Sequence, residues 1–359
     1  MGALPTTPPP PDFVAGLPKA ELHLHLVGSA SAPTVLELAR RHPDGGVPTD
    51  EAALADFYRF TDFAHFIEVY IAVSALVRTA PDLAALTLGV LGDLATQNVR
   101  YVELTVTPDS HLRQGIEPDG LAEALTQART AAAERHGIEV GWVFDIPGED
   151  GLASGERTID WVERWAPEGS VGFGLGGPEL GVPRPQFAEV FARARALGLA
   201  SVPHAGETTG PQTVRDAVEV LGAQRIGHGL SAAADPVLMA ELVERGVALE
   251  VCPTSNLRTR AVASLAEHPW PVLVAGGVTV TLASDDPGMF DTTLCNEYRL
   301  VRDRFGVSAA GLADLARTAL VVSYAPAGVK RRVRTEIDDY AASALPDRSR
   351  DRPAARPPG

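Results

Sequence analysis

Short apolar or β-branched runs alternate along the chain with longer stretches whose apolar residues recur every three or four positions. The first pattern predicts strands at 21–26 (ELHLHL), 101–107 (YVELTVT), 138–146 (IEVGWVFDI), 171–175 (VGFGL), 200–205 (ASVPHA), 225–229 (RIGHG), 247–252 (VALEVC) and 278–284 (VTVTLAS). The second predicts helices, among them Leu121 to Arg135, Gln186 to Leu197, Thr213 to Leu221 and Pro236 to Arg245. Gly137, Gly198, Gly222 and Gly246 then fall where a helix stop is expected. Eight strands with intervening helices predict an α/β protein with a parallel sheet and right-handed crossovers, closed as a single (β/α)8 TIM barrel. Roughly 70 residues separate the first two strands, and they carry Phe57, Tyr58, Phe60, Phe63, Phe66 and Tyr70. We read this gap as a helical excursion over the barrel mouth. Its Phe60, Phe63 and Phe66 are expected to pack helices together rather than line a pocket.

Charge narrows the possible partners. The 359 residues hold 31 Lys+Arg and 46 Asp+Glu, a formal charge of −15, which is not the footprint of a nucleic-acid or anionic-membrane binder. Cys252 and Cys295 are the only cysteines, too few for a disulfide scaffold or a zinc site built from three or four thiolates. Residues 1–12 are Pro-rich and 341–359 Pro/Arg-rich. Both are expected to be disordered, flanking one domain over 13–340. The N-terminus lacks signal-peptide features, and the longest apolar stretch, Trp270 to Ala283, is too short to span a bilayer. A cytoplasmic location follows as the expectation.

Ionisable residues gather at the C-terminal ends of the predicted strands, the catalytic face of a barrel. His23 and His25 end the first strand, and i, i+2 spacing puts both imidazoles on one face. His204-Ala205-Gly206-Glu207 ends the fifth, Gly227-His228-Gly229 the sixth, and Ser284-Asp285-Asp286-Pro287 the eighth. Each alone has an ordinary reading: histidines on a wet strand face, a helix-start glutamate, a loop histidine, an Asp-rich turn. Together they converge on one mouth if the barrel is right. His23, His25, His204 and Asp285 make a nitrogen–oxygen donor set suited to one Zn²⁺ per subunit. Glu207, His228 and Asp286 are left as acid–base and orienting groups.

Competing signatures fail. Gly172-x-Gly174-x-x-Gly177 matches a dinucleotide fingerprint, but Pro178 follows and no helix opens until about Pro185, so phosphate would meet no helix N-terminus. No nucleophile elbow, P-loop or CxxC occurs, which excludes the cytidine-deaminase type of zinc site. The lysines, Lys19 and Lys330, sit at no strand end where they could bridge two metals.

The motifs PKAELHLHL (18–26), HAGE (204–207), RIGHG (225–229), EVCPTSN (250–256) and SDDP (284–287) resemble, in order, those of the adenosine deaminase family, from Leu17 to Tyr340. The resemblance implies a zinc (β/α)8 enzyme that hydrolyses the amino group from a 6-aminopurine. It matches His23, His25, His204 and Asp285 to zinc ligands and Glu207, His228 and Asp286 to catalytic residues. It also matches Gly177 to a glycine whose backbone meets the purine. One departure is informative. Where the family usually has an acidic residue two positions after the second histidine, this chain has Val27, which cannot hydrogen-bond a 5′-hydroxyl and suits a 5′-carbon substituent. With FDIPGE (144–149) and HAGETTGPQT (204–213), this is similar to actinobacterial members acting on aminodeoxyfutalosine, a 5′-extended adenosine on a menaquinone route. The alternatives are adenosine or adenine deamination in purine salvage and, in another class, a non-catalytic zinc-binding barrel.

Overall fold

Strands and helices alternate as the pattern predicts in the computed structural model, which describes residues 12–344. Nine strands occur among them: β1 (Lys19–His25), β2 (Val99–Val106), β3 (Glu139–Pro147), β4 (Ser170–Gly176), β5 (Ala200–Ser201), β6 (His204–Ala205), β7 (Arg225–His228), β8 (Ala248–Val251) and β9 (Val280–Leu282). All neighbours pair in parallel, in the orders β1-β2-β3-β4-β5 and β6-β7-β8-β9.

Two seams join these ladders into the barrel. At the first, Pro203 has no N–H to donate and splits the expected 200–205 strand into β5 and β6. The segment still bridges its neighbours: Val202 N donates to Phe173 O (2.9 Å) and Gly227 N to Pro203 O (3.0 Å). At the second, Leu24 pairs with Asp285 just beyond β9. His25 N donates to Asp285 O (3.0 Å) and Asp285 N to His23 O (3.1 Å). The backbone bonds that close the ring therefore also fix three of the expected metal ligands to one another.

The excursion after β1 is helical, with helices at Ala32–Arg41, Glu51–Phe57, Phe63–Ser74 and Ala80–Thr96. Side chains start them: Asp50 accepts from Ala53 N (2.9 Å), Asp62 from His65 N (2.9 Å), and Thr79 and Asp82 form a reciprocal capping box. Phe66 stacks 4.9 Å from Phe290, in the turn that follows Asp286, which lays the excursion over the barrel mouth. At the opposite end Lys19 Nζ donates to Leu17 O (2.6 Å) and Gln97 O (2.9 Å), far from any bridging position.

The described structure reaches into both of the expected tails. Asp12 caps the helix Phe13–Gly16, and its carboxylate pairs with Arg299. The last helix runs Ala327–Ala344, with Ala341 buried against the core. The rest of both expected tails lies outside the described residues. None of the described helices is long and apolar enough to cross a membrane.

Candidate active site

The strand period delivers the ligands. His23 and His25 share a face of β1, His204 opens β6, His228 ends β7, and Asp285 follows β9. His228 and Asp285 have φ of 61° and 67°, left-handed values that are costly for residues with a Cβ and typical of functional sites. His25 Nε2 lies 3.1 Å from His204 Nε2 and 3.3 Å from Asp285 Oδ1, and His23 Nε2 lies 3.2 Å from the same oxygen. The donor atoms of His23, His204, His228 and Asp285 lie within 4.8 Å of one another, and His25, Asp285 and Asp286 form an overlapping set.

These spacings fit a metal. A tetrahedral ion with arms of about 2.0–2.2 Å separates its ligand atoms by about 3.3–3.6 Å, close to the spacings just given. His23 Nε2 is buried without an aligned hydrogen-bond partner, an orphan a cation would satisfy. Electrostatics agree: burial opposes charge on His23, yet Asp285 and Glu250 outweigh it and lift the imidazole to about 10. At His25 and His204 burial wins instead and lowers the imidazoles, so those rings are neutral and able to donate a lone pair.

A buried polar shell holds the cluster. His23 Nδ1 meets Glu250 Oε2 (2.9 Å), Glu250 Oε1 accepts from Arg225 Nε (2.5 Å), and Arg225 Nη2 pairs with Glu103. Ser255 Oγ donates to Asp285 Oδ2 (2.6 Å). Asn256 Nδ2 donates to His228 Nδ1 (3.1 Å), while its Oδ1 faces His268 Nε2 (3.3 Å). Burial pushes His228 down to about 3, so the ring is neutral, and the Asn256 contact places its one proton on Nε2. That nitrogen faces Glu207 Oε2 (3.6 Å) and Asp285 Oδ2 (3.8 Å).

Glu207 sits in no helix, since the next helix begins at Pro211; it stands on a tight turn made possible by Gly206 at φ +72°. Glu179 fixes that turn by accepting from Glu207 N (3.1 Å), Thr208 N (3.3 Å) and Thr209 N (3.0 Å). Burial, reinforced by the charges of Asp285 and Glu179, raises the Glu207 carboxyl to about 8 despite a hydrogen bond from Thr259 Oγ1 (2.9 Å). Burial and the neighbouring Asp285 likewise hold Asp286 well above the usual carboxylate range, and its Oδ1 is buried without a partner.

A cavity of about 170 Å³ opens over this cluster, and His25, His204, Glu207, His228, Asp285, Asp286 and Gly177 all reach its wall. Gly177 has φ +76°, and a Cβ there would meet Glu149 Oε2 at 2.3 Å. Two expectations need correction. Val27 does not line the cavity; it is 4% exposed and packs in the core. Strand alternation ends at His25, where Ser29 N turns back to His25 O (2.9 Å), so Val27 no longer follows the inward face. Phe63 and Phe66 do line the cavity, because the helix Phe63–Ser74 turns one face (63, 66, 67, 70, 71, 74) onto the mouth; Phe60 packs behind, 5.3 Å from Phe66. Glu250, Arg225, Glu179, Asn256 and Thr259 were not singled out from the sequence. A carboxylate inside an apolar strand, as in VALEV, is the signal that marked the first.

A parallel barrel with imidazoles and an aspartate converging at its C-terminal mouth is the layout of a metal-dependent hydrolase. The chain belongs to the adenosine deaminase family, whose model, described as adenosine deaminase, matches residues 18–340. It is 55% identical over 335 residues to an aminodeoxyfutalosine deaminase of Streptomyces avermitilis, covering 93% of this chain and 94% of the relative. It is 36% identical to an adenine deaminase of Streptomyces coelicolor, covering 92% and 98%. Among solved structures, the adenine deaminase of Arthrobacter aurescens superposes with a TM-score of 0.85 at 29% identity, covering 91% of this chain and 99% of that one. An amidohydrolase of B. ambifaria with bound Zn gives 0.84 at 26%, covering 92% and 93%. The chain is thus a hydrolytic deaminase with a TIM-barrel fold, in a metal-dependent family.

Proposed function

We propose that this enzyme hydrolyses the 6-amino group of a 5′-modified adenosine, aminodeoxyfutalosine in particular, as a soluble cytoplasmic catalyst. The substrate reading is supported by the higher identity to the aminodeoxyfutalosine deaminase than to the adenine deaminase. The observation that carries the chemistry is one cavity holding both a donor cluster for a cation and a glutamic acid kept protonated.

In this reading His23, His25, His204 and Asp285 hold one zinc ion, with His228 beside it. Bound there, zinc lowers the pKa of water to about 7 and so supplies a nucleophile at neutral pH. Glu207, carrying its proton, donates to purine N1 and makes C6 electrophilic. His228, neutral with its proton on Nε2, orients the attacking water rather than deprotonating it. Asp286, protonated, donates to N7, and the Gly177 backbone lies against the purine ring. Water adds at C6; one of its two protons passes to the amino group, so the C6–N bond breaks and ammonia leaves, and the other returns to Glu207, while N1 keeps the proton that Glu207 gave it.

The sign of the pH dependence follows. Glu207 acts as an acid and is protonated below about 8, so kcat/KM falls as the pH rises through that value. A flat profile from pH 7 to 9.5 would contradict the role. Asp286 depends on Gly28, where a Cβ would come 1.8 Å from Asp286 Oδ1. Gly28→Ala is therefore expected to displace that carboxyl and lower kcat/KM by about tenfold or more, with the metal content retained; the cost is that of a misplaced substrate contact.

The substrate is tested by comparing turnover of adenosine, adenine, a 5′-alkylthioadenosine and aminodeoxyfutalosine. Clear preference for the 5′-extended nucleoside supports the proposal. Preference for adenosine or adenine moves the enzyme to purine salvage.

A further inference from the structure

We infer that His268, a buried residue outside the cavity, acts through Asn256 to fix which nitrogen of His228 carries the proton, and so keeps His228 a hydrogen-bond donor beside the metal rather than a ligand to it. This rests on the reading of His228 given above and adds what holds that histidine in its role.

The sequence HPWP places Trp270 between Pro269 and Pro271, neither of which has an N–H. Trp270 opens the helix Trp270–Ala275, where the first N–H groups find no partner within the helix. His268 supplies one: Trp270 N donates to His268 Nδ1 (3.1 Å). A backbone N–H can only donate, so Nδ1 accepts and the His268 proton lies on Nε2. Burial lowers His268 to about 4, which leaves a single proton on the ring.

That proton sets the next bond. His268 Nε2 donates to Asn256 Oδ1 (3.3 Å), which turns the Asn256 amide so that Nδ2 faces His228. Nδ2 can only donate, so His228 Nδ1 (3.1 Å) accepts, and the His228 proton stands on Nε2, toward Glu207 and Asp285. Three hydrogen bonds thus run in one direction from a backbone donor to the active site. Reversing any one of them would set two donors or two acceptors face to face. His268 and Asn256 are both buried and neither lines the cavity, so they are positioning residues that substrate does not touch. Asn256 is itself held in the short helix Pro253–Arg258, next to Ser255, which donates to Asp285.

The consequence concerns the choice of ligands. His228 offers a ring nitrogen within 4.8 Å of the donor atoms of His23, His204 and Asp285, as near as a ligand's would be. A nitrogen that carries a proton has no lone pair for a cation, so the relay keeps His228 out of the coordination shell. The same proton is the one His228 presents to the attacking water. Outer partners of this kind fix the tautomer and direction of a ring, and their loss costs about 10–100-fold in metal affinity or activity.

The test is nitrogen NMR of the zinc-loaded enzyme carrying isotope-labelled histidine, in which a bare ring nitrogen resonates far downfield of a protonated one. His228 and His268 are assigned by the signals lost in His228→Gln and His268→Gln. In the wild type both rings are expected to show a bare Nδ1 and a protonated Nε2. In Asn256→Asp, whose carboxylate can only accept, the His228 proton should move to Nδ1, and kcat should fall by about 100-fold or more, as a catalytic histidine held in the wrong tautomer does. His268→Leu should leave His228 as a mixture of both tautomers and lower kcat by about tenfold. His268→Gln, whose amide can accept from Trp270 N and donate to Asn256, should restore the wild-type pattern at His228. A merely structural role would lower stability without moving the proton. A proton on His228 Nδ1 in the wild type would overturn the relay, and that spectrum needs no variant to fold. A His228 pattern unchanged in Asn256→Asp or in His268→Leu would overturn it as well. None of these results depends on which nucleoside is turned over, so the deaminase reading stands or falls separately, on the substrate comparison.

Discussion

Glu207→Gln is expected to lower kcat/KM on a 6-aminopurine nucleoside by about 10²–10⁴-fold, the range over which a positioned acid contributes. The replacement is nearly isosteric and keeps an oxygen for the hydrogen bond from Thr259. It can donate a hydrogen bond to purine N1 but cannot give up a proton. Because burial already keeps Glu207 neutral at pH 7, the neutral amide should leave the fold and the metal cluster undisturbed. Steady-state kinetics, elemental metal analysis and a melting curve on one preparation check this. Wild-type-like turnover in the variant would remove Glu207 from the chemistry, and loss of metal would show that its role is to support the cluster.

Arg225→Met is expected to have the largest effect on the scaffold. Arg225 is 1% exposed and lies between Glu103 and Glu250, with its guanidinium 4.4 Å over the Tyr324 ring and Nη1 donating to Val322 O (2.9 Å). Methionine approximates its volume but leaves two buried carboxylates without the cation they share, Glu250 keeping only His23 Nδ1 (2.9 Å) and Glu103 only the neutral donors Tyr101 OH (3.0 Å) and Tyr324 N (2.6 Å). Breaking a buried pair this way costs about 3–5 kcal/mol, which denaturant titration would measure. The same change reaches the metal. Burial tends to raise Glu250, but Arg225 and His23 keep it below its ordinary range and so ionised toward His23 Nδ1. Loss of such an outer partner lowers metal affinity by about 10–100-fold, which chelator competition reads without any activity assay. Stability within about 1 kcal/mol of wild type, with unchanged metal affinity, would show that the network is ornamental. Restoring neutrality with Glu103→Gln and Glu250→Gln in the Arg225→Met background should recover stability but not affinity.

Glu207 and Arg225 were not equally visible in the sequence. Glu207 was legible because it stands in HAGE beside a histidine at a strand end, where a barrel collects its chemistry. The same reasoning found His23, His25, His204, His228, Asp285 and Asp286, which the folded chain brings into one cluster, all but His23 reaching the cavity wall. Arg225 was visible as a residue of RIGHG, but its partners Glu103 and Glu250 lie 122 and 25 positions away, and nothing local links them. Glu179 was hidden for a similar reason, since its backbone acceptor role depends on two loops meeting. Val27 shows the reverse case: its place two positions after the second histidine, where the family usually has an acidic residue, set it beside the substrate, whereas the turn after His25 takes it into the core. The split at Pro203 was written in the sequence as a missing donor, but the expected strand ran through it.

The metal site is tested most directly by locating zinc in a crystal of the zinc-loaded enzyme by anomalous scattering at the zinc edge. One peak per subunit is expected, about 2.0–2.2 Å from nitrogens of His23, His25 and His204 and from an oxygen of Asp285, with His228 and Glu207 facing it unligated. A crystal with no peak there, or with zinc seated on His228 in place of His25, would contradict it.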